Sequence, residues 1–175
     1  MVALELSERL SCVCERIEVA GSVRRGKHQV GDVELLYIPK VRYEKIGGNS
    51  GIEAIPMTED IINEMMEDGT IAKRLSSNRR TTYGPLNKLM VHRSTGMAVD
   101  LFATTEASWW NALTCRTGGA ETNKRLAQSA IANGKRWHVY GEGVTNFDGR
   151  VTRAESEEHV FQLCGVPYQP PELRP

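Results

Sequence analysis

The chain of 175 residues has no apolar run near the roughly 20 residues that a membrane helix needs, so no membrane association is expected. Its first stretch carries Glu5, Glu8 and Arg9, which a signal peptide would not. Cysteine is scarce, and 4 in a chain of this size do not make a disulfide framework. Cys12 and Cys14 stand two apart, too close for a usual metal pair, and no Cys/His cluster completes a site. The thiols are read as reduced and the setting as cytoplasmic. Internal repeats are absent. Net charge is absent too: 22 basic residues balance 22 acidic ones, which at first disfavours a nucleic-acid partner. What remains, 40% hydrophobic and 25% charged residues, suits a soluble globular chain of one domain or two small units sharing a core.

The neutral total hides an uneven distribution. Residues 53–68 hold six acids and no base, whereas 70–93 hold Lys73, Arg74, Arg79, Arg80, Lys88 and Arg93 and no acid. Arg24, Arg25 and Lys27 form a third basic group; Arg116, Lys124, Arg125, Lys135 and Arg136 form a fourth. Such blocks can build one basic and one acidic face, although scattered solvated charge would read the same way.

Leu4, Leu6, Leu10 and Val13 recur at helical spacing and predict an amphipathic helix over 4–14. "RIEVAGS" alternates and then meets Gly21, as a strand entering a turn does, and "DVELLYIP" is a second strand closed by Pro39. The glycines between 40 and 56 indicate a flexible loop. "TEDIINEMMEDG" reads as a helix, followed by the strand-like "IAKRLS", "LNKLMVHR" and "MAVDLFAT". "STG" between the last two is a hairpin turn, which makes them antiparallel neighbours. Past Thr105 the chain turns mixed. Helices are expected at "EASWWNALTC" and "ETNKRLAQSAIANG", a small hairpin from "RWHVYG" and "GRVT", a helix "SEEHVFQLCG" capped by Ser156, and an extended proline-rich tail.

Asp32 and Glu34 lie on an apolar strand, spaced so that both point to one side while Val33 and Leu35 face the core. Two carboxylates so close repel unless a cation lies between them. Asp100, in "AVDLF", is a third isolated strand acid. If its strand lies beside the first, three hard oxygen donors meet, a set suited to one or two Mg²⁺ or Mn²⁺ ions completed by substrate phosphates. Gly21 and Ser22 end the preceding strand and open a short helix, which aims backbone N–H groups and a hydroxyl at an anion, with Arg25 as a phosphate fork. Alone, an Asp-x-Glu strand is an exposed edge and a Gly-Ser turn means little. Joined, they describe a phosphoryl-transfer site for in-line attack by a hydroxyl on an α-phosphate.

"GSVRRG" and "VGDVELL" resemble the signature of the DNA polymerase beta-like nucleotidyltransferases, family X. "VDLF" resembles its third-acid strand, "RTGGAETNKRLAQSAIANG" the turn and helix that grip the nucleotide, and "EEHVFQLCGVPYQPPELRP" its closing helix and C-terminus. The resemblance spans about Arg16 to Pro175. It implies an α+β fold: a nucleotidyltransferase palm over 1–105, with a mixed sheet and flanking helices, and a small α/β nucleotide-selecting subdomain over 106–175. Asp32, Glu34 and Asp100 would bind two metal ions, with Asp100 as base or orienter for the primer 3′-hydroxyl. Gly21, Ser22, Arg25 and Gly31 would hold the triphosphate of a dNTP, and Gly118 and Asn123 would lie along its sugar and base. Asn123 could equally be an exposed amide. Lys124 and Arg125 could touch the template strand, and Arg79 and Arg80 DNA, or all four could be solvated.

The implied activity is DNA-directed DNA synthesis in short-gap repair, on gapped or primer-template DNA, with a possible repair partner protein. The alternative is template-independent transfer to RNA, a small molecule or a protein hydroxyl. The resemblance starts at the palm, with no lyase or helix-hairpin-helix segment read before it, so a minimal phage- or virus-type member is expected, and with it the host cytoplasm. Three positions depart from the family pattern. Glu34 stands where many members carry Asp. Ala98 replaces an arginine, so that a positive charge beside the third acid is expected to be missing. Cys115 and Arg116 replace an aromatic pair that polices the sugar.

Overall fold

The computed structural model describes residues 2–46, 51–76 and 78–175. Helix α1 (Val2–Ser11) forms on the stripe Ala3, Leu6 and Leu10, which it buries. Leu4, expected on that face, is 60% exposed because it stands one residue, ~100° of helix rotation, off the stripe. Val13 is buried, but beyond the helix end.

A five-stranded mixed sheet follows, in the order β1-β2-β7-β6-β5. β1 (Cys14–Val19) runs antiparallel to β2 (Asp32–Pro39), and the single-turn helix α2 (Gly21–Arg24) lies between them in the chain. β2 pairs in parallel with β7 (Ala98–Ala103), which pairs antiparallel with β6 (Asn87–His92); β5 (Ile71–Lys73) forms the edge. The "STG" turn joins β6 to β7 as expected: Gly96 takes φ 70° and donates its N–H to His92 O at 2.8 Å.

Alternation divides the sheet into two faces. Val33, Leu35, Tyr37, Met90, Val99 and Leu101 pack against α1 and against Ile62 and Met65 of α3 (Thr58–Glu67). The opposite face carries Asp32, Glu34, Leu36 and Ile38 on β2, with Asp100 and Phe102 on β7. Leu36, Ile38 and Phe102 are covered by Trp109, Ala112 and Leu113 of α4 (Trp109–Thr117), and the acids lie toward the N-terminal ends of the same strands. A further core joins α5 (Ala120–Ala132), α6 (Glu157–Cys164) and a three-stranded sheet through Leu126, Ala130, Trp137, Val144, Val160 and Phe161. Ser156 caps α6, its Oγ accepting from the His159 N–H at 3.1 Å.

Three segments differ from expectation. Residues 40–56 are not a loop: β3 (Val41–Ile46) and β4 (Gly51–Pro56) form a two-stranded ribbon. Its faces are both largely solvated, so no apolar alternation announced it, and of the glycine-rich stretch 47–50 lies outside the described residues. The small hairpin is a three-stranded sheet, β10-β9-β8, because Gly143–Thr145 (β9) inserts between Arg136–Trp137 (β8) and Val151–Arg153 (β10). The proline-rich tail is not simply extended. Pro171–Leu173 makes a 3₁₀ turn, and Arg174 is fully buried, stacked near Phe161 and Tyr168. Among the described residues all four cysteines are free thiols and no helix is long and apolar enough to cross a membrane.

Candidate active site

The turn after β1 is built around one close approach. Gly21 has φ 61°, in the left-handed region that disfavours a side chain, and a Cβ there would collide with the Glu34 carboxylate. Ala20 donates its N–H to Glu34 O at 2.8 Å, so the start of α2 is tied to the acid strand. Ser22 Oγ and Arg25 Nε are buried without a hydrogen-bond partner. Unpartnered buried donors of this kind are uncommon, and they fit an anionic ligand such as phosphate. Gly31 sits in open space just before β2.

The parallel register places Glu34 directly opposite Asp100, with Asp32 two residues away on the same side. Burial and the neighbouring Asp32 push the Glu34 carboxyl up to about 7, against the pull of Arg116 and Arg25. Burial also raises Asp100, opposed mainly by Arg74. The three sequence-derived acids thus gather on one face and sense each other. They do not form a closed cage: among the described residues, no three His, Cys, Asp or Glu side chains are set as a ready metal site. The donor chemistry nevertheless fits a hard divalent cation, since the group is all oxygen and a cation among the acids would offset the burial and the Asp32 repulsion that push the Glu34 carboxyl up.

The positive charge expected to be missing beside Asp100 is present. Arg74, just beyond β5, pairs with Asp100 Oδ1 and donates from Nε to Met90 O at 3.1 Å. Ala98 lacks the charge, but an arginine two strands away delivers it, which only the strand order reveals. Arg116 was also unassigned to the acids; its guanidinium lies 3.4 Å over the Phe102 ring and donates to Tyr140 Oη at 2.6 Å.

Arg25 reaches Thr117 O through Nη1 at 2.7 Å, so part of its fork is already engaged. Arg24 donates to Thr117 Oγ1 at 2.7 Å and to Glu157 at 2.6 Å, and Arg174 completes the group from the other side of Glu157 at 2.6 Å. Asn123 is not an exposed amide: Nδ2 donates to Cys115 O at 2.9 Å, and Oδ1 is buried without a partner. A Cβ on Gly118 would come within 2.9 Å of that Oδ1, so the glycine leaves it room. Lys124 pairs with Glu121 at 2.8 Å on the surface, and Arg125 with Gln169. Arg79 and Arg80 are exposed, but the basic block around them is not a pure surface feature: Lys88 is buried on Glu59 at 2.6 Å, and Arg74 turns to Asp100. Acidic and basic blocks therefore partly neutralise each other inside the fold.

The DNA polymerase beta thumb family model matches residues 112–175. Across the whole chain, the structure superposes on the Leishmania infantum polymerase beta, solved as a ternary P/T complex, with a TM-score of 0.71. That match covers 99% of this chain and 72% of the other at 19% identity. Residues 112–175 thus match the DNA polymerase beta thumb family, and the chain as a whole shares the fold of a polymerase beta. Its mixed sheet with flanking helices follows the polymerase beta fold. Arg116, Thr117, Gly118, Asn123 and Glu157 lie within the residues that the thumb model matches, and the three acids lie on the sheet that precedes them. No curated protein sequence matches significantly.

Proposed function

We propose that this chain is a nucleotidyltransferase that adds dNMP to a primer 3′-hydroxyl on a DNA template, as in short-gap repair. The observation that carries the reading is the parallel register that sets Glu34 against Asp100, with Gly21 packed onto Glu34 and unpartnered Ser22 and Arg25 donors beside it. An acid trio and an anion cradle share one strand junction. Residues 1–105 form the catalytic palm in this reading, and 106–175 the nucleotide-selecting unit.

Ser22 Oγ, Arg25 Nε and the backbone around Gly21 and Gly31 bind the β- and γ-phosphates. Gly118 and Asn123 lie along the sugar and base, where Asn123 Oδ1 has its acceptor capacity free. Asp32, Glu34 and Asp100 would hold divalent metal ions, and Asp100 would orient the attacking hydroxyl. When bound, Mg²⁺ or Mn²⁺ supplies activation of that hydroxyl and neutralises charge on the departing pyrophosphate. Arg79, Arg80, Lys124 and Arg125 contact DNA phosphates, where each adds salt-sensitive affinity.

Primer extension on gapped, primer-template and single-stranded DNA with Mg²⁺ or Mn²⁺ tests this. Incorporation that follows the template base is expected. Extension indifferent to the template would move the function to template-independent transfer. Full activity of Asp32→Ala would overturn the catalytic assignment.

A further inference from the structure

Arg74 belongs to none of the motifs that define the candidate site, yet among the described residues it makes the one ion pair to any of the three acids. Its placement follows from register. The Arg74 N–H donates to Leu89 O at 2.9 Å, and Leu89 pairs directly opposite Asp100. The arginine therefore lies in line with Asp100 at two strand spacings, ~10 Å, which its extended side chain bridges across β6. On the way, Nε donates to Met90 O at 3.1 Å. Backbone N–H, Nε and one terminal nitrogen are all engaged, so the guanidinium is held in one orientation. The pair is largely shielded: the side chains are 28% and 15% exposed. A planar, fixed fork of this kind directs an oxygen in a way that a flexible ammonium does not.

We propose that Arg74 is the positioning residue for Asp100, clamping Oδ1 so that Oδ2 is the oxygen presented to a divalent cation. The assignment rests on the proposed nucleotidyl transfer. Clamping has a second consequence. Arg74 is a positive charge beside the metal ligands, so it weakens cation binding while improving ligand geometry. Removing it should loosen catalysis and tighten the metal, whereas a merely structural role would weaken both together.

The test uses the full chain as wild type, Arg74→Met, Arg74→Lys and Asp100→Asn. Mn²⁺ binding to the protein without DNA is read by electron paramagnetic resonance, and single-nucleotide incorporation is read on gapped DNA. Arg74→Met is expected to bind Mn²⁺ about fivefold to tenfold tighter, since one local positive charge is gone. Its kcat is expected to fall on the order of 100-fold with less than about a threefold change in KM for dNTP, and millimolar guanidinium is expected to restore part of the rate. Arg74→Lys keeps the charge but not the fork; Mn²⁺ affinity near wild type with a kcat about tenfold down is expected. In the Asp100→Asn background, Arg74→Met should still tighten Mn²⁺, because its charge acts on the cation through space, but should lower kcat no further, because positioning acts through the Asp100 contact. Equal or weaker Mn²⁺ binding by Arg74→Met, or full activity of Arg74→Lys, overturns the proposal. If the wild type makes no DNA product, the function reading fails alone, and the Mn²⁺ measurements still decide the role of Arg74.

Discussion

Two clusters of partly or fully buried charge sit at opposite ends of α2, and they are built differently. On the sheet, Asp32, Glu34 and Asp100 share one face, with Arg74 as their one direct counter-ion among the described residues. On the C-terminal side, Glu157 lies between Arg24 and Arg174, with both arginines at 2.6 Å. In the first cluster burial and the neighbouring Asp32 push Glu34 up to about 7; the second has an arginine on each side of its acid. Imbalance of this sort costs stability and persists where a ligand is meant to supply the missing charge. A paired hub instead docks one part of the fold on another, and it becomes costly when one member is lost.

The contrast breaks most visibly through the acids. Asp32→Ala should reduce nucleotide incorporation by several orders of magnitude while the melting temperature stays level or rises, since repulsion is relieved. A melting temperature that collapses with the activity would show that Asp32 is structural. The Glu157 hub should behave in the opposite way. Glu157→Ala leaves the Arg174 guanidinium, which is 0% exposed, without its partner, and a loss of about 3–5 kcal/mol in denaturant unfolding is expected. Loss below about 1 kcal/mol would place the hub among weak surface pairs.

A smaller effect sharpens the first cluster. The Glu34 carboxyl is raised from 4.5 to about 7 in the folded chain. Between those values the folded protein keeps a proton that the unfolded chain has released. Stability of the metal-free protein should therefore fall as pH rises through that window, by roughly 3 kcal/mol. Glu34→Gln should flatten this component in melting curves measured without divalent ions; an unchanged profile would assign the slope to other groups. The smallest effect concerns the exposed arginines. Arg79→Ala with Arg80→Ala should lower DNA affinity modestly and reduce the slope of log affinity against log salt by about 2. A slope equal to wild type would leave that loop off the DNA.

Much of the site was legible because it is local. Strand alternation put Asp32 and Glu34 on one side, and Gly21 next to Ser22 marked a turn into a short helix, where the structure shows left-handed backbone at Gly21. The ends of α3 and α6 were readable from Gly69 and Gly165, and the cap of α6 from Ser156. The ribbon β3–β4 was hidden because neither of its faces is buried deeply enough to enforce a pattern, while its glycines drew the eye to a loop. β9 is three residues long, too short to alternate visibly. Arg174 looked like a charged tail residue, and nothing near it in the chain announces that Glu157 and two aromatic rings will enclose it.

By itself, then, the sequence determined which residues could do the chemistry: residue type and a period of two or 3.6 specify a side chain's direction within its own element. Only the tertiary structure decided what stands opposite them. Glu34 meets Asp100 because β2 and β7 run in parallel, a pairing between strands 66 positions apart in register. Arg74 reaches Asp100 because β5 is the second strand beyond it, and Arg25 meets Thr117 because α4 folds back over the sheet. The physical reason is range. Backbone geometry acts over a turn or a strand pair, whereas charge balance at a buried site is set by whichever cations the packed sheet brings within a few ångströms.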